Sequence, residues 1–189
     1  MKGTKKMKKL WVWVLFALLA LFLTAGAASA ADVTLTSVGQ SPDAMMVRVV
    51  MKGLNLVPDY QPLLKAEDLK DCKVLVAVVG GSSKGLGAAG IDKDDELARA
   101  KGLLEKAKAG GSKILVMHVG GEGRRGTLSD LFIESVAPFA NSMIIVDGGD
   151  NDGIFKRIAE PTNTPILSAP NVKGTAEPLK TVLTEWGVL

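Results

Sequence analysis

The chain has 189 residues, with 23 basic and 20 acidic side chains, a formal net charge of +3 and one cysteine. One cysteine excludes a disulfide-built scaffold. The basic excess is no sign of nucleic-acid binding, because it lies in one short segment.

That segment is the start of the chain. Lys2, Lys5, Lys6, Lys8 and Lys9 precede a continuous apolar run of 14 residues, Leu10 to Leu23, and then Thr24-Ala25-Gly26-Ala27-Ala28-Ser29-Ala30. The charged, apolar, small-residue order is that of a secretory signal, with Ala28-Ser29-Ala30 as the cleavage site. A spanning helix needs about 20 apolar residues, so the run is short for a permanent anchor. The expected domains are a signal peptide at 1–30 and a single α/β domain at 31–189, exported to the periplasm or secreted, with no stable membrane anchor after cleavage. The five lysines leave with the signal and no acid does, so 18 basic and 20 acidic residues remain, a net of −2. A mildly acidic domain gives no support for a nucleic-acid partner. Its 159 residues suffice to bury about 68–70% of the unfolded surface in one core.

The mature part alternates apolar runs with amphipathic stretches. Val33–Val38 reads as the first strand. Ser41-Pro42-Asp43 then opens a helix, with Ser as cap, Pro at the first helical position and an acid in the first turn. Its apolar face is expected to carry Met45, Met46, Val49 and Val50, and it ends near Gly53. Residues 56–69, with Pro58 and Pro62, read as an irregular connection. Lys73–Val79 is the second strand, followed by a glycine-rich loop. A helix over 92–108 carries Leu97, Ala100, Leu103, Leu104 and Ala107 on one face. Lys113–Val119 is the third strand, and a helix follows over 127–137. Asn141–Val146 is the fourth strand, with a helix over 152–159. Thr164–Ser168 is the fifth and weakest strand, and a helix over 175–186 closes the chain. Nearly continuous Val, Ile and Leu in the central runs marks strands covered on both faces. The expectation is a three-layer doubly wound sheet, Rossmann-like or flavodoxin-like, of about five parallel strands. Cys72, just before an apolar run, reads as a buried, inert thiol.

Ligands of such sheets bind beyond the carboxyl ends of the strands. Polar and glycine residues gather there: Gln40 and Ser41 after strand 1, Gly81, Ser82, Ser83 and Lys84 after strand 2, His118, Arg124 and Arg125 at and after strand 3. The glycine loop allows close backbone approach and suits an anion, and Arg124 and Arg125 can hold a carboxylate or phosphate in a fork. Glu122 is placed to neutralise either arginine.

Three motif-like strings lack the context their chemistry needs. Gly80–Gly87 looks like a nicotinamide cofactor loop, but it follows the second strand, and the sole tyrosine, Tyr60, lies upstream. Gly81-Ser82-Ser83-Lys84-Gly85 matches G-x-S-x-G, but His118 precedes the candidate acid Asp147, against the usual chain order. Asp147–Gly153 resembles a calcium loop, yet Gly148 and Ala159 occupy ligand positions, so Asp150 or Asp152 is expected to cap a helix. No cofactor or metal is implied.

The strings TSVGQSPDAMMV (Thr36–Val47), VVGGSSKGLGAAGID (Val78–Asp92) and HVGGEGRRGTLSDLFIESVAP (His118–Pro138) resemble a family of exported bacterial proteins carrying a Rossmann-like domain of unknown function. The resemblance implies the fold and export and brings no catalytic residue. The leading expectation is therefore binding of a small anionic molecule by Gln40, Ser41, Gly81, Ser82, Ser83, Lys84, His118, Arg124 and Arg125. The alternatives are a hydrolase or transferase using Ser83 with His118, and a non-catalytic component of a cell-envelope complex.

Overall fold

Six parallel strands form one sheet in a computed structural model that describes residues 32–189. The signal-peptide reading of residues 1–30 lies outside the described residues. In chain order the elements are β1 (Val33–Val38), α1 (Asp43–Gly53), β2 (Asp59–Tyr60), β3 (Val74–Val79), α2 (Ser83–Ala89), α3 (Lys93–Ala109), β4 (Lys113–His118), α4 (Thr127–Val136), β5 (Ser142–Val146), α5 (Ile154–Ala159), β6 (Ile166–Ala169) and α6 (Ala176–Glu185). The sheet order is β2-β1-β3-β4-β5-β6. This is the flavodoxin-type order with an added strand, and its direction reverses between β1 and β3. Among the described residues no helix is long and apolar enough to cross a membrane.

The continuous apolar runs have the expected consequence. Every residue of β1, β3 and β5 is buried. Alternate side chains enter opposite layers. On one face Leu75, Ala77, Val79, Ile114, Val116, Met143 and Ile145 pack against Leu103, Leu104, Phe132, Ile133 and Phe155 of α3, α4 and α5. On the other face Val74, Val76, Val78, Leu115, Met117 and Ile144 pack against Val47 and Met51 of α1 and Leu179, Val182 and Leu183 of α6. Each of the Val, Leu, Ile, Phe and Met side chains among them, taken from full exposure to full burial, stabilises by about 1.5–3 kcal/mol. Cys72 is only half-buried, with its Sγ 3.6 Å from Ser112 Oγ at the edge of the first layer.

Three local features differ from the sequence reading. The connection at 56–69 contains the short strand β2, which pairs Asp59 and Tyr60 with Thr34 and Leu35. The glycine loop is shorter than expected, because α2 begins at Ser83 with Ser82 as its cap; Ser82 Oγ accepts from Gly85 N at 3.0 Å. And α1 is rotated from the expected face. Ala44, Val47 and Met51 are buried, whereas Met45, Met46 and Val49 are 45%, 48% and 63% exposed. The helix is apolar nearly all round, so its own periodicity does not select a face; contact with the sheet and α6 does.

Candidate functional site

The reversal of strand order leaves the β1–α1 and β3–α2 loops departing in opposite directions. Here the gap between them is bridged by backbone: Gln40 pairs with Gly81, Gly80 N donates to Val38 O, and Ser82 N to Gly39 O. The approach is close. A side chain on Gly39, at φ +87°, would stand 2.6 Å from Gly80 O.

A buried ion pair locks this junction. Glu96, on the buried stripe of α3, is fully inaccessible. Its Oε1 accepts from Gly39 N at 2.8 Å and Gln40 Nε2 at 3.0 Å. Arg99, one turn on, donates to both of its oxygens, at 2.7 and 2.8 Å. Arg99 also donates to Leu64 O and Ser37 O, at 2.6 Å each. Gln40 Nε2 further donates to Pro62 O at 3.0 Å. Gln40 holds positive φ, 56°, although it is not glycine; these bonds over-determine it. The sequence does carry a signal for this pair: Glu96 shares the stripe of Ala100, Leu103 and Ala107, with a cation three residues away.

The open space lies one strand further along, between the β3–α2 and β4–α4 loops. It is a cleft of about 270 Å³ lined by Gly81, Ser83, Gly123, Arg124, Arg125, Gly126, Thr127, Leu128 and Ser129. Thr127, Leu128 and Ser129 are the first turn of α4, whose preceding residue, Gly126, supplies no side-chain cap. Backbone N–H groups at an uncapped helix start, together with the helix dipole, favour an anion. Gly81 sits hard against this turn: a Cβ on it would stand 2.8 Å from Ser129 N and from Leu128 Cγ. Ser129 Oγ accepts from Gly81 N at 2.9 Å and so pins the two loops together.

The two arginines part company. Arg125 is held inside a wall of the cleft. It donates to Asp130 Oδ1 at 2.8 Å, to Gly149 O at 2.6 Å, and to both oxygens of Asp152 at 3.0 and 2.8 Å. The Asp152 carboxylate, then Asp130, hold its guanidinium above its usual range. In return the Arg125 hydrogen bonds hold the Asp152 carboxyl down to about 2. Arg124 is the available cation. Its Nε lies 3.5 Å from Asp43 Oδ2, an ion pair in which neither atom finds a well-aligned hydrogen bond. Its side chain is 31% exposed and lines the cleft. Both arginines are thus met by Asp43, Asp130 and Asp152, and Glu122 is exposed and pairs with neither.

The remaining expected site residues are dispersed. Ser83 is exposed in the cleft, while Lys84 is exposed on α2 outside its lining. Ser82 is occupied as a cap. Ser41 is buried, its Oγ 3.4 Å from Asp43 N. His118 is fully buried at the end of β4, stacked at a tilt on Phe155. Its Nδ1 is 3.0 Å from Val79 O and its Nε2 3.2 Å from Gly121 O. Both ring nitrogens therefore face backbone carbonyls, and neither is left for Ser83 or a ligand. Asp147 is exposed. Asp150 Oδ1 and Asp152 Oδ1 accept from Phe155 N and Ile154 N, capping α5 as their spacing suggested.

A family model described as a domain of unknown function, DUF6305, matches residues 30–183. No curated protein sequence matches the chain. Among solved structures it is similar to the psychrotrophic esterase EstA from Pseudoalteromonas sp., in a crystal form inhibited by monoethylphosphonate. That likeness has 10% identity and a TM-score of 0.36, over 82% of this chain and 96% of that one.

Proposed function

Because the chain belongs to the DUF6305 family, whose description assigns no activity, the cleft has to be read from its own geometry, and we propose that the protein is an extracytoplasmic binding domain for a small anion. The observation that carries this reading is the meeting of Arg124, the Ser83 hydroxyl and the uncapped first turn of α4 around one cleft at the carboxyl edge of the sheet. The charge order of residues 1–30 supports the extracytoplasmic part. Asp43 turns the arginine from behind and offsets part of its charge, which favours a modest affinity over a tight one. Of the residues expected at the site, Gly81, Ser83, Arg124 and Arg125 line the cleft. Arg125 serves as a wall, and Gln40, Ser41, Ser82 and His118 support the loops from behind. Catalysis by Ser83 and His118 would need the imidazole to leave both of its carbonyls, so binding is the better-supported reading.

The test is thermal unfolding of the purified chain with inorganic phosphate, sulfate, acetate and citrate in turn. An anion at about 100 times its Kd adds about 2.7 kcal/mol of stability, a rise of roughly 5–11 °C for a domain of this size. Arg124→Gln should remove the rise and Ser83→Ala should reduce it. A rise that survives Arg124→Gln, or no rise with any of the four anions, overturns the assignment.

A further inference from the structure

The apolar face that α1 turns outward is not accounted for by the core. Met46, Val49, Val50 and Leu54 form one side of a groove, and Val172 and Ala176, at the start of α6, form the other. The space is about 600 Å³, within the roughly 300–1,000 Å³ usual for small-molecule sites. It lies on the α1–α6 face of the sheet, away from the anion cleft. Gly53 lines it too, and no atom stands within 4 Å of where a Cβ on Gly53 would be.

The chemistry of the lining narrows the occupant. It contains no hydroxyl, amide, carboxylate or ring. A ligand with a polar body would lose its hydration there without compensation, and a planar aromatic would find nothing to stack on. Thioether and branched aliphatic side chains adapt instead to a flexible chain. The one charged residue of the lining is Lys173, exposed and without an ion pair among the described residues. An apolar trough with a single cation matches a molecule that is apolar along its length and anionic at one end. A protein partner fits less well, because a stable interface needs about 800 Å² from each side and the exposed apolar residues of α1 are only Met45, Met46 and Val49.

From this complementarity we infer that the groove is a second ligand site, which takes the acyl chain of a long-chain fatty acid with its carboxylate at Lys173.

The experiment uses the purified full chain, with laurate and dodecyltrimethylammonium as probes of equal chain length and opposite charge, each below its micellar concentration. Calorimetric titration should give one tight laurate site per chain besides any weak carboxylate binding at the anion cleft, with laurate held there at least tenfold more tightly than the cation. Lys173→Glu should weaken laurate at least tenfold and abolish the preference. Gly53→Phe should fill the trough and remove laurate binding; should that variant fail to fold, Val49→Asp, at an exposed position, serves the same purpose. Arg124→Gln should remove only the weak carboxylate binding and leave the affinity of the tight laurate site unchanged, which separates this site from the anion cleft. Absent laurate binding, equal affinity for the two probes, or binding indifferent to the filling variants would each overturn the inference. So would sedimentation showing that the filling variants convert a self-associated species to monomer, which would assign the groove to a second copy of the chain.

Discussion

Replacing Glu96 by alanine should be among the most damaging single changes in this protein. If Glu96 and Arg99 were a surface i,i+3 pair, the change would be worth about 0.3–0.5 kcal/mol. They are not on the surface: the two side chains are 0% and 9% exposed. The carboxylate accepts four hydrogen bonds, two from Arg99, one from Gly39 N and one from Gln40 Nε2. Its loss leaves a buried guanidinium without its counter-charge and releases the β1–α1 loop from α3. Breaking a buried pair from one side costs about 3–5 kcal/mol, against a total stability of roughly 5–15 kcal/mol. For a domain of this size that is a fall in Tm of about 6–20 °C. Urea unfolding followed by circular dichroism, with the m-value compared between variants, measures it directly. Replacing both partners by apolar residues, Glu96→Leu with Arg99→Met, should cost clearly less than the single change, because no orphaned charge remains. A loss below about 1 kcal/mol for Glu96→Ala, or a double variant no better than the single one, would refute the account of a pair made indispensable by burial.

Two further outcomes follow from the same physics. On α1, Met51→Ala should cost about 2–5 kcal/mol because Met51 is fully buried, while Val49→Ala should stay within about 0.5 kcal/mol because Val49 is exposed; equal effects in denaturant unfolding would mean the helix is rotated otherwise. Asp152 is held at about 2 by Arg125, below the ordinary carboxylate value, so its ion pair stabilises the folded state above about pH 4 and ceases to do so as pH falls through 2. With its side chain 59% exposed, Asp152→Asn should lower stability at pH 7 by less than about 1 kcal/mol. The gap between variant and parent should narrow from pH 4 downward and close only below pH 2; a gap that does not narrow would assign the effect to the α5 cap instead of the charge.

Most strands and helices were legible in the chain because they depend on neighbours, whereas β2 and α2, which are short and carry no apolar run of their own, were not. Runs such as Val74–Val79 are apolar at every position, so they predict coverage on both faces without knowledge of what covers them. Asp150 and Asp152 before Ile154 predict a helix start, since a cap bonds within a few residues of itself. The polar strand ends were legible as a group for the same reason. What each of those groups does was settled only by contacts distant in sequence. His118 meets the carbonyl of Val79, 39 residues away, Gln40 meets Glu96 across 56, and Arg125 meets Asp152 across 27. A side chain has few hydrogen bonds to give, and the fold takes most of them before any ligand can. The same holds for α1, whose apolar residues encircle it: the chain specified a helix that must bury something, and only the sheet and α6 decided that Val47 and Met51 would be inside and Met46 and Val49 outside.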